Sequence, residues 1–241
     1  MTSLVLGASG ATGQLVVQQL LKKGQSVRII VRSLDALPHE IVTNSKVAIV
    51  CASVLEMTEK QLLDCIEGCE SVVSCLGHNL TWKGIFGQPK HLVTEATIRV
   101  CRAIIKSRPL DPIKFILMNT SGFQNKELGE RVSLSHKAVI SLIRALFPPH
   151  IDNEMAVQFL QTKLDKDQNF VQWTAVRPDS LTNEPFPTQY DIHPSPISDP
   201  IFSAKKTSRI NVAVFMSELI TTPSAWNKWQ GQTPVVYNSI Q

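Results

Sequence analysis

Short apolar runs alternate with segments of helical period along most of the chain. Ser3-Leu4-Val5-Leu6 leads into a glycine-punctuated turn and then a helical pattern over 14–23 that stops at Gly24. Apolar runs recur at 26–31, 47–51, 71–76 and 114–118, with helical patterns at 58–66 and 92–106 between them, the second ending before Pro109. Thr58 and Gln61 have capping-box spacing, in which a hydroxyl and an amide satisfy backbone N–H groups reciprocally. Runs that are apolar at nearly every position, not at every second one, belong to strands covered on both faces. Such strands alternating with helices predict a doubly wound parallel sheet, the Rossmann-type α/β fold.

The second half is less regular. A helical pattern over 135–147 stops at Pro148-Pro149, another starts near Asp152, and a sixth strand over 173–176 runs into Arg177-Pro178. Five prolines between 184 and 200 cannot donate to a ladder, which predicts a surface loop beside the site. A short helix over 211–219 and an edge strand over 234–237 complete the pattern. Without repeats or a low-complexity linker, the expectation is one domain over 1–241, with 123–160 and 181–210 forming its irregular substrate side.

A net charge of +4, spread without a basic run and accompanied by 6% aromatic residues, argues against a nucleic-acid surface and suits a small anionic ligand. The first strand begins at residue 3, no export signal precedes it, and no apolar run reaches the ~20 residues of a membrane span. No membrane association and a cytoplasmic location are expected. The five cysteines, Cys51, Cys65, Cys69, Cys75 and Cys101, are an odd count lying mostly inside predicted elements, so reduced, buried thiols are expected. Cys65 and Cys69 are one helical turn apart but lack further ligands at metal-binding spacing, so no metal is expected.

The most specific chemistry is in Gly7-Ala8-Ser9-Gly10-Ala11-Thr12-Gly13, between the first strand and the first helix. Absent side chains at Gly7 and Gly10 let backbone approach a pyrophosphate, Ser9, Ala11 and Thr12 complete the cradle, and Gly13 permits close packing of helix on strand. The helix start aims free N–H groups and a positive dipole end at the phosphates. About 20 residues further on, where an acidic residue would take a ribose 2′-hydroxyl, the second strand ends in Arg32-Ser33. A guanidinium fork suits a 2′-phosphate, so NADP(H) is the expected cofactor.

Gly-Ala-Ser-Gly-Ala-Thr-Gly resembles the opening of extended and atypical short-chain dehydrogenase/reductases, most closely the NmrA-like NAD(P)H-binding group that includes flavin and biliverdin-IXβ-type reductases. The resemblance implies that residues following each strand border the dinucleotide. Ser53 and Val54 then face the adenine, with Ser53 standing where the group usually has Asp. Leu76-Gly77-His78-Asn79 matches the turn passing the nicotinamide-side ribose; His78 is either a proton donor or a solvated loop group. Asn119-Thr120-Ser121-Gly122 ends the fifth strand, and Ser121 is the position that faces nicotinamide and bonds substrate, with Thr120 its neighbour. Arg177-Pro178-Asp179-Ser180-Leu181 resembles the group's Arg-Pro-x-x-Leu, whose backbone at Pro178 borders the nicotinamide. Pro148-Pro149-His150-Ile151-Asp152-Asn153-Glu154 looks like a Pro-His-x-Asp-Asn-Glu stretch of some members; Asp152 reads equally as a helix N-cap and Glu154 as a first-turn acid.

Tyr-x-x-x-Lys, the tuned acid of the dehydrogenases, is absent: the chain has only Tyr190 and Tyr237, and Ser133-x-x-x-Lys137 is its nearest imitation. A simple ketone needs that acid, whereas a flavin, quinone or bilin spreads the incoming charge over its own conjugation. The expectation is therefore an NADPH-dependent reductase of a planar conjugated acceptor, with Ser121, His78 and His150 as candidate catalytic groups and Trp82, Phe86 and Phe123 as candidate walls. The alternatives are a non-catalytic NADP(H)-binding redox sensor with a protein partner and, less well supported without the tyrosine, a sugar-nucleotide or isomerase-type enzyme. The natural substrate is not legible.

Overall fold

In chain order the elements are β1 (Thr2–Leu6), α1 (Ala11–Lys22), β2 (Ser26–Val31), α2 (His39–Val42), β3 (Val47–Cys51), α3 (Glu59–Ile66), β4 (Ser71–Ser74), α4 (Leu92–Ser107), β5 (Ile113–Met118), α5 (Pro148–Lys163), β6 (Val171–Pro178), β7 (Ser180–Thr182), β8 (Tyr190–His193), β9 (Lys206–Ser208), α6 (Arg209–Thr221), α7 (Pro223–Trp229) and β10 (Val235–Asn238). The computed structural model describes residues 1–78, 89–125, 128–130, 148–164, 169–200 and 202–239. The expected helix over 135–147, Asn79, Trp82, Phe86 and the Ser133/Lys137 pair lie outside the described residues.

Eight strands form one sheet in the order β3-β2-β1-β4-β5-β6-β10-β8, with β7 and β9 a separate parallel pair. All neighbours in the large sheet are parallel except β8 and β10. Strand residues alternate between two cores. Leu4 and Leu6 join α3, α4 and α5 on one face, while Val5 joins α1, α6 and α7 on the other. Each fully buried Leu or Phe in these layers contributes about 1.5–3 kcal/mol, which explains the near-continuous apolar strands. Chain leaving β1 and chain leaving β4 turn to opposite faces, and the crevice at their carboxyl ends is where this fold takes ligands.

The Thr58 capping box is present, with the hydroxyl accepting from Gln61 N and the Gln61 side chain accepting from Thr58 N. Three expectations in the second half change. Pro148 and Pro149 begin α5 where a break was expected, because a first helical turn needs no N–H donors. Asp152 therefore lies within the helix and is not its N-cap. The proline-rich loop contains β8 in its proline-free window, so β10 is paired on both sides and the edge of the sheet is β8.

Candidate functional site: a glycine cradle and a second pocket

The turn after β1 is built from contacts that exclude side chains. Gly7 has φ +73°, and a Cβ there would lie 2.6 Å from the Cys75 carbonyl carbon and oxygen. A Cβ on Gly13 would meet the Gly7 carbonyl oxygen at 2.1 Å. These two glycines thus lock strand, helix and the β4 exit together, and Gly7 serves that packing in addition to any ligand. Gly10 differs, since its Cβ would find only the Gly7 oxygen at 3.3 Å. It is the N-cap of α1, without a side-chain cap, so the first-turn N–H groups of Ala11, Thr12 and Gly13 point out of the helix end. Burial pushes the Cys75 thiol up to about 12, so beside the cradle it is a neutral apolar wall.

A cleft of about 150 Å³ opens in front of this turn. Of the expected cofactor residues, Gly7, Ser9, Gly10, Arg32, Ser53, Val54, Leu76 and Gly77 line it together. Ala11, Thr12 and Gly13 sit behind in the helix start; Leu55 joins Ser53 and Val54 in the lining, and Ile30, Pro89 and Leu92 add apolar walls that the sequence reading missed. Arg32 is exposed at the end of β2. Ser33 lies outside the lining, and its hydroxyl donates to Asp35 Oδ2 at 2.7 Å. A backbone cradle and a helix N-terminus with a cation in the same lining fit the phosphates of a dinucleotide.

Ser121, Gly122 and Phe123 leave β5 and enter a second, larger pocket of about 510 Å³, closed on the other side by Ser195, Ile197 and Asp199. Ser121 N donates to Pro178 O at 2.9 Å, holding the β5 and β6 exits together. The Ser121 hydroxyl donates to Asp179 Oδ1 at 3.0 Å. Burial lifts the Asp179 carboxyl above its ordinary range and Asp199 adds to the lift, while bonds from Lys205 N, Ser121 and Ser180 N oppose it. Asn119 and Thr120 bond inward: Asn119 Nδ2 donates to Asn153 O at 2.8 Å and its Oδ1 accepts Thr120 N. Pro178 is buried.

Arg177, fully buried, staples the pocket walls. Its Nε donates to Thr233 O (2.6 Å), Nη1 to Phe123 O (2.9 Å) and Glu130 Oε2 (3.1 Å), and Nη2 to Glu130 Oε1 (2.7 Å) and Pro194 O (3.0 Å). Phe123 is buried beneath the guanidinium, 5.9 Å from its ring centroid, and still lines the pocket. Leu128 and Ile197, both exposed, supply apolar rim.

The two histidines separate. His78 is no solvated loop group: its side chain is 6% exposed, and Nε2 lies 2.8 Å from Asp152 Oδ2. Asp152, fully buried in α5, caps a different helix from its own, accepting Val93 N (2.8 Å) and Thr94 N (2.9 Å) at the start of α4. Burial pushes its carboxyl up, but the bonds from His78, Thr94 and Val93 outweigh this and hold it below the usual range. His150 packs on the Ser121 turn, where a Cβ on Gly122 would be 3.4 Å from its Nε2, and its Nδ1 is 3.5 Å from Glu154 Oε1. The structure therefore sets His150 beside Gly122, the residue after Ser121, and gives His78 to the α4–α5 junction.

Neither tyrosine replaces the missing acid. Tyr190 donates to Glu218 Oε2 at 2.6 Å, and Tyr237 is buried with its hydroxyl accepting Ile197 N at 3.3 Å. Burial raises both phenols above their ordinary range, the opposite of the tuning a proton donor needs. Among the described residues no cluster of His, Cys, Asp and Glu could hold a metal, and no helix is long and apolar enough to cross a membrane. All five cysteines are free, with Cys51 exposed and the others buried.

Solved structures share the fold across the whole chain. An oxidoreductase from Lactococcus lactis is 17% identical with a TM-score of 0.69, covering 99% of this chain and 91% of its own. A short-chain dehydrogenase/reductase from Veillonella parvula in complex with NADP is 16% identical with a TM-score of 0.69, covering 98% and 94%. An anaerobilin reductase from Escherichia coli O157:H7 is 16% identical with a TM-score of 0.69, covering 100% and 98%. At these identities the likeness is one of fold. No curated protein sequence matches the chain. The NAD(P)H-binding family matches residues 7–223. With its glycine cradle at the carboxyl end of β1 and this match over most of its length, the chain belongs to the NAD(P)H-binding family, on the fold of the atypical short-chain dehydrogenase/reductases.

Proposed function

We propose that the protein is an NADPH-dependent reductase that passes hydride from the nicotinamide to a planar conjugated acceptor, a flavin or quinone-like molecule. The observation that carries the reading is the pocket beside Ser121: Phe123, Leu128, Ile197 and two prolines give it apolar walls among polar Gln124, Glu130, Ser195 and Asp199, and its tyrosine neighbour, Tyr237, has a raised phenol. Such a slot suits an acceptor that stabilises incoming charge by its own conjugation and needs alignment more than acid catalysis. When bound, NADPH supplies the hydride. The chain's own residues bind and orient: the Gly10 helix end holds the pyrophosphate, Val54 and Leu55 wall the adenine, and Ser121 and His150 face the reacting end.

NADPH is preferred over NADH in this reading because Arg32 stands exposed on the cleft wall, while the Ser33 hydroxyl is engaged by Asp35. Five free cysteines agree with a reducing, cytoplasmic location. The test is NADPH oxidation followed by absorbance with FMN, menadione and cyclohexanone, alongside calorimetric binding of NADPH and NADH. Turnover with the conjugated acceptors and little with the ketone is expected. Efficient ketone reduction would overturn the acceptor class, and tight NADPH binding without oxidation by any acceptor would favour the non-catalytic sensor.

A further inference from the structure

Charge develops on the acceptor as the hydride arrives, and the pocket contains one hydroxyl that can meet it or turn away. Ser121 has a single hydroxyl proton, which is turned to Asp179 Oδ1 at 3.0 Å. While that bond stands, Ser121 can only accept from a ligand in the pocket. The other carboxyl oxygen, Oδ2, accepts Lys205 N at 2.9 Å, and Asp179 N is itself fixed by donating to Thr207 Oγ1 at 3.2 Å. The carboxyl is thus held in one orientation, with Oδ1 always presented to Ser121.

We propose that Asp179 is a positioning residue whose protonation sets the polarity of Ser121: with Asp179 protonated at Oδ1, Ser121 turns its hydroxyl proton to the acceptor, and with Asp179 ionised it does not. This rests on the reductase reading and names the group that polarises its acceptor. The acceptor gains a hydride, which NADPH supplies when bound, and a proton, which solvent supplies as the acceptor's O–H or N–H bond forms. Ser121 keeps its own O–H bond and donates a hydrogen bond to the charge that develops on the acceptor.

The surroundings make the protonated form easier to reach than in a free carboxyl, against the bonds from Lys205 N, Ser121 and Ser180 N. Burial and the charge of Asp199, in the loop after β8, lift the Asp179 carboxyl. Tyr237 on β10 packs nearby with its phenol raised, and Lys205 turns its ammonium over the Tyr237 ring at 5.7 Å. His150 of α5 stands beside Gly122, and the His193 ring of β8 packs tilted on Tyr237, 5.9 Å between ring centroids. Because the Asp179 carboxyl is raised, the donor form of Ser121 is present at low pH and is lost as pH rises through that value.

Asp179→Asn isolates the effect. Its amide oxygen must take the Lys205 N–H, which leaves the NH2 group facing Ser121 and fixes Ser121 as a donor at every pH. With menadione as acceptor, wild-type kcat should step down with rising pH by about 2- to 12-fold, the worth of one neutral hydrogen bond. Asp179→Asn should lose the step and Ser121→Ala should lose both step and rate. A wild-type step that persists in Asp179→Asn would overturn the proposal and assign the titration to His150. The Asp179 carboxyl is followed separately by its 13C shift in folded protein without added acceptor. Ser121→Ala should move that titration upward by about 0.4–1 pH unit. No movement would overturn the coupling whatever the activity; a moved titration with no turnover on any acceptor would instead count against the reductase reading alone.

Discussion

The three glycines of the cradle divide into two whose Cβ would clash with backbone and one whose Cβ the fold would tolerate. Gly13→Ala places a methyl 2.1 Å from the Gly7 carbonyl oxygen, 2.8 Å from its carbon and 3.0 Å from Ala8 Cα, all backbone that cannot rotate away. Such overpacking costs about 1–3 kcal/mol and displaces the turn. Gly10→Ala meets only one atom, at 3.3 Å, and its φ of −81° and ψ of 158° are ordinary for any residue. Losing unfolded-state freedom stabilises by about 0.4–1 kcal/mol, and a poorer N-cap offsets part of that. The folded protein should therefore hold its stability within about 1 kcal/mol. The methyl instead occupies the space where a pyrophosphate approaches the α1 N-terminus, and each lost bond to a charged group costs about 1.5–3 kcal/mol. NADPH affinity should fall about tenfold to a hundredfold by calorimetry, with the urea midpoint nearly constant. A Gly10→Ala protein that folds and binds NADPH like wild type would refute the cradle, and a Gly13→Ala protein of wild-type stability would refute the packing argument.

Arg32→Asp should erase or invert a preference for NADPH over NADH of about 1–3 kcal/mol, read by calorimetry with both cofactors; equal affinities in the unmodified protein would remove Arg32 from the site. Arg177→Met leaves the Glu130 carboxylate buried without its partner and should lower urea stability by about 3–5 kcal/mol, with Arg177→Met/Glu130→Gln recovering part; a loss near that of an exposed pair, under about 1 kcal/mol, would contradict the staple. Asp152→Asn should cost about 1–3 kcal/mol near neutral pH. Because the Asp152 carboxyl is held below its ordinary value, the wild-type advantage should be full above about pH 4 and shrink as pH falls through the folded value; thermal midpoints that diverge further in acid would have the wrong sign.

What could be read in advance followed from local periodicity. Strands covered on both faces are apolar throughout, and the capping box at Thr58 and the glycine turn carry their signals within a few residues. The residues that shape the site resisted because their partners are remote in the chain. Asp152 caps a helix start 58 and 59 residues away, and Arg177 reaches Glu130 across 47 residues and Phe123 across 54. Nothing local separates a helix-start acid from one that caps a neighbour. β8 was hidden by composition, since prolines on either side of 188–193 masked a window that contains none. Asp179 did carry a signal: it directly follows the carboxyl end of β6, where ligands lie in this fold.

Direct hydride delivery to a conjugated acceptor is tested most closely by a single-turnover experiment. Protein loaded with one equivalent of NADPH is mixed rapidly with menadione or with cyclohexanone, and nicotinamide absorbance is followed. Loss of the full nicotinamide signal is expected with menadione, slowed about 2- to 12-fold in Ser121→Ala, with no loss for cyclohexanone on the same timescale. Bound NADPH that stays reduced in front of menadione, or is consumed as readily by cyclohexanone, would contradict that expectation.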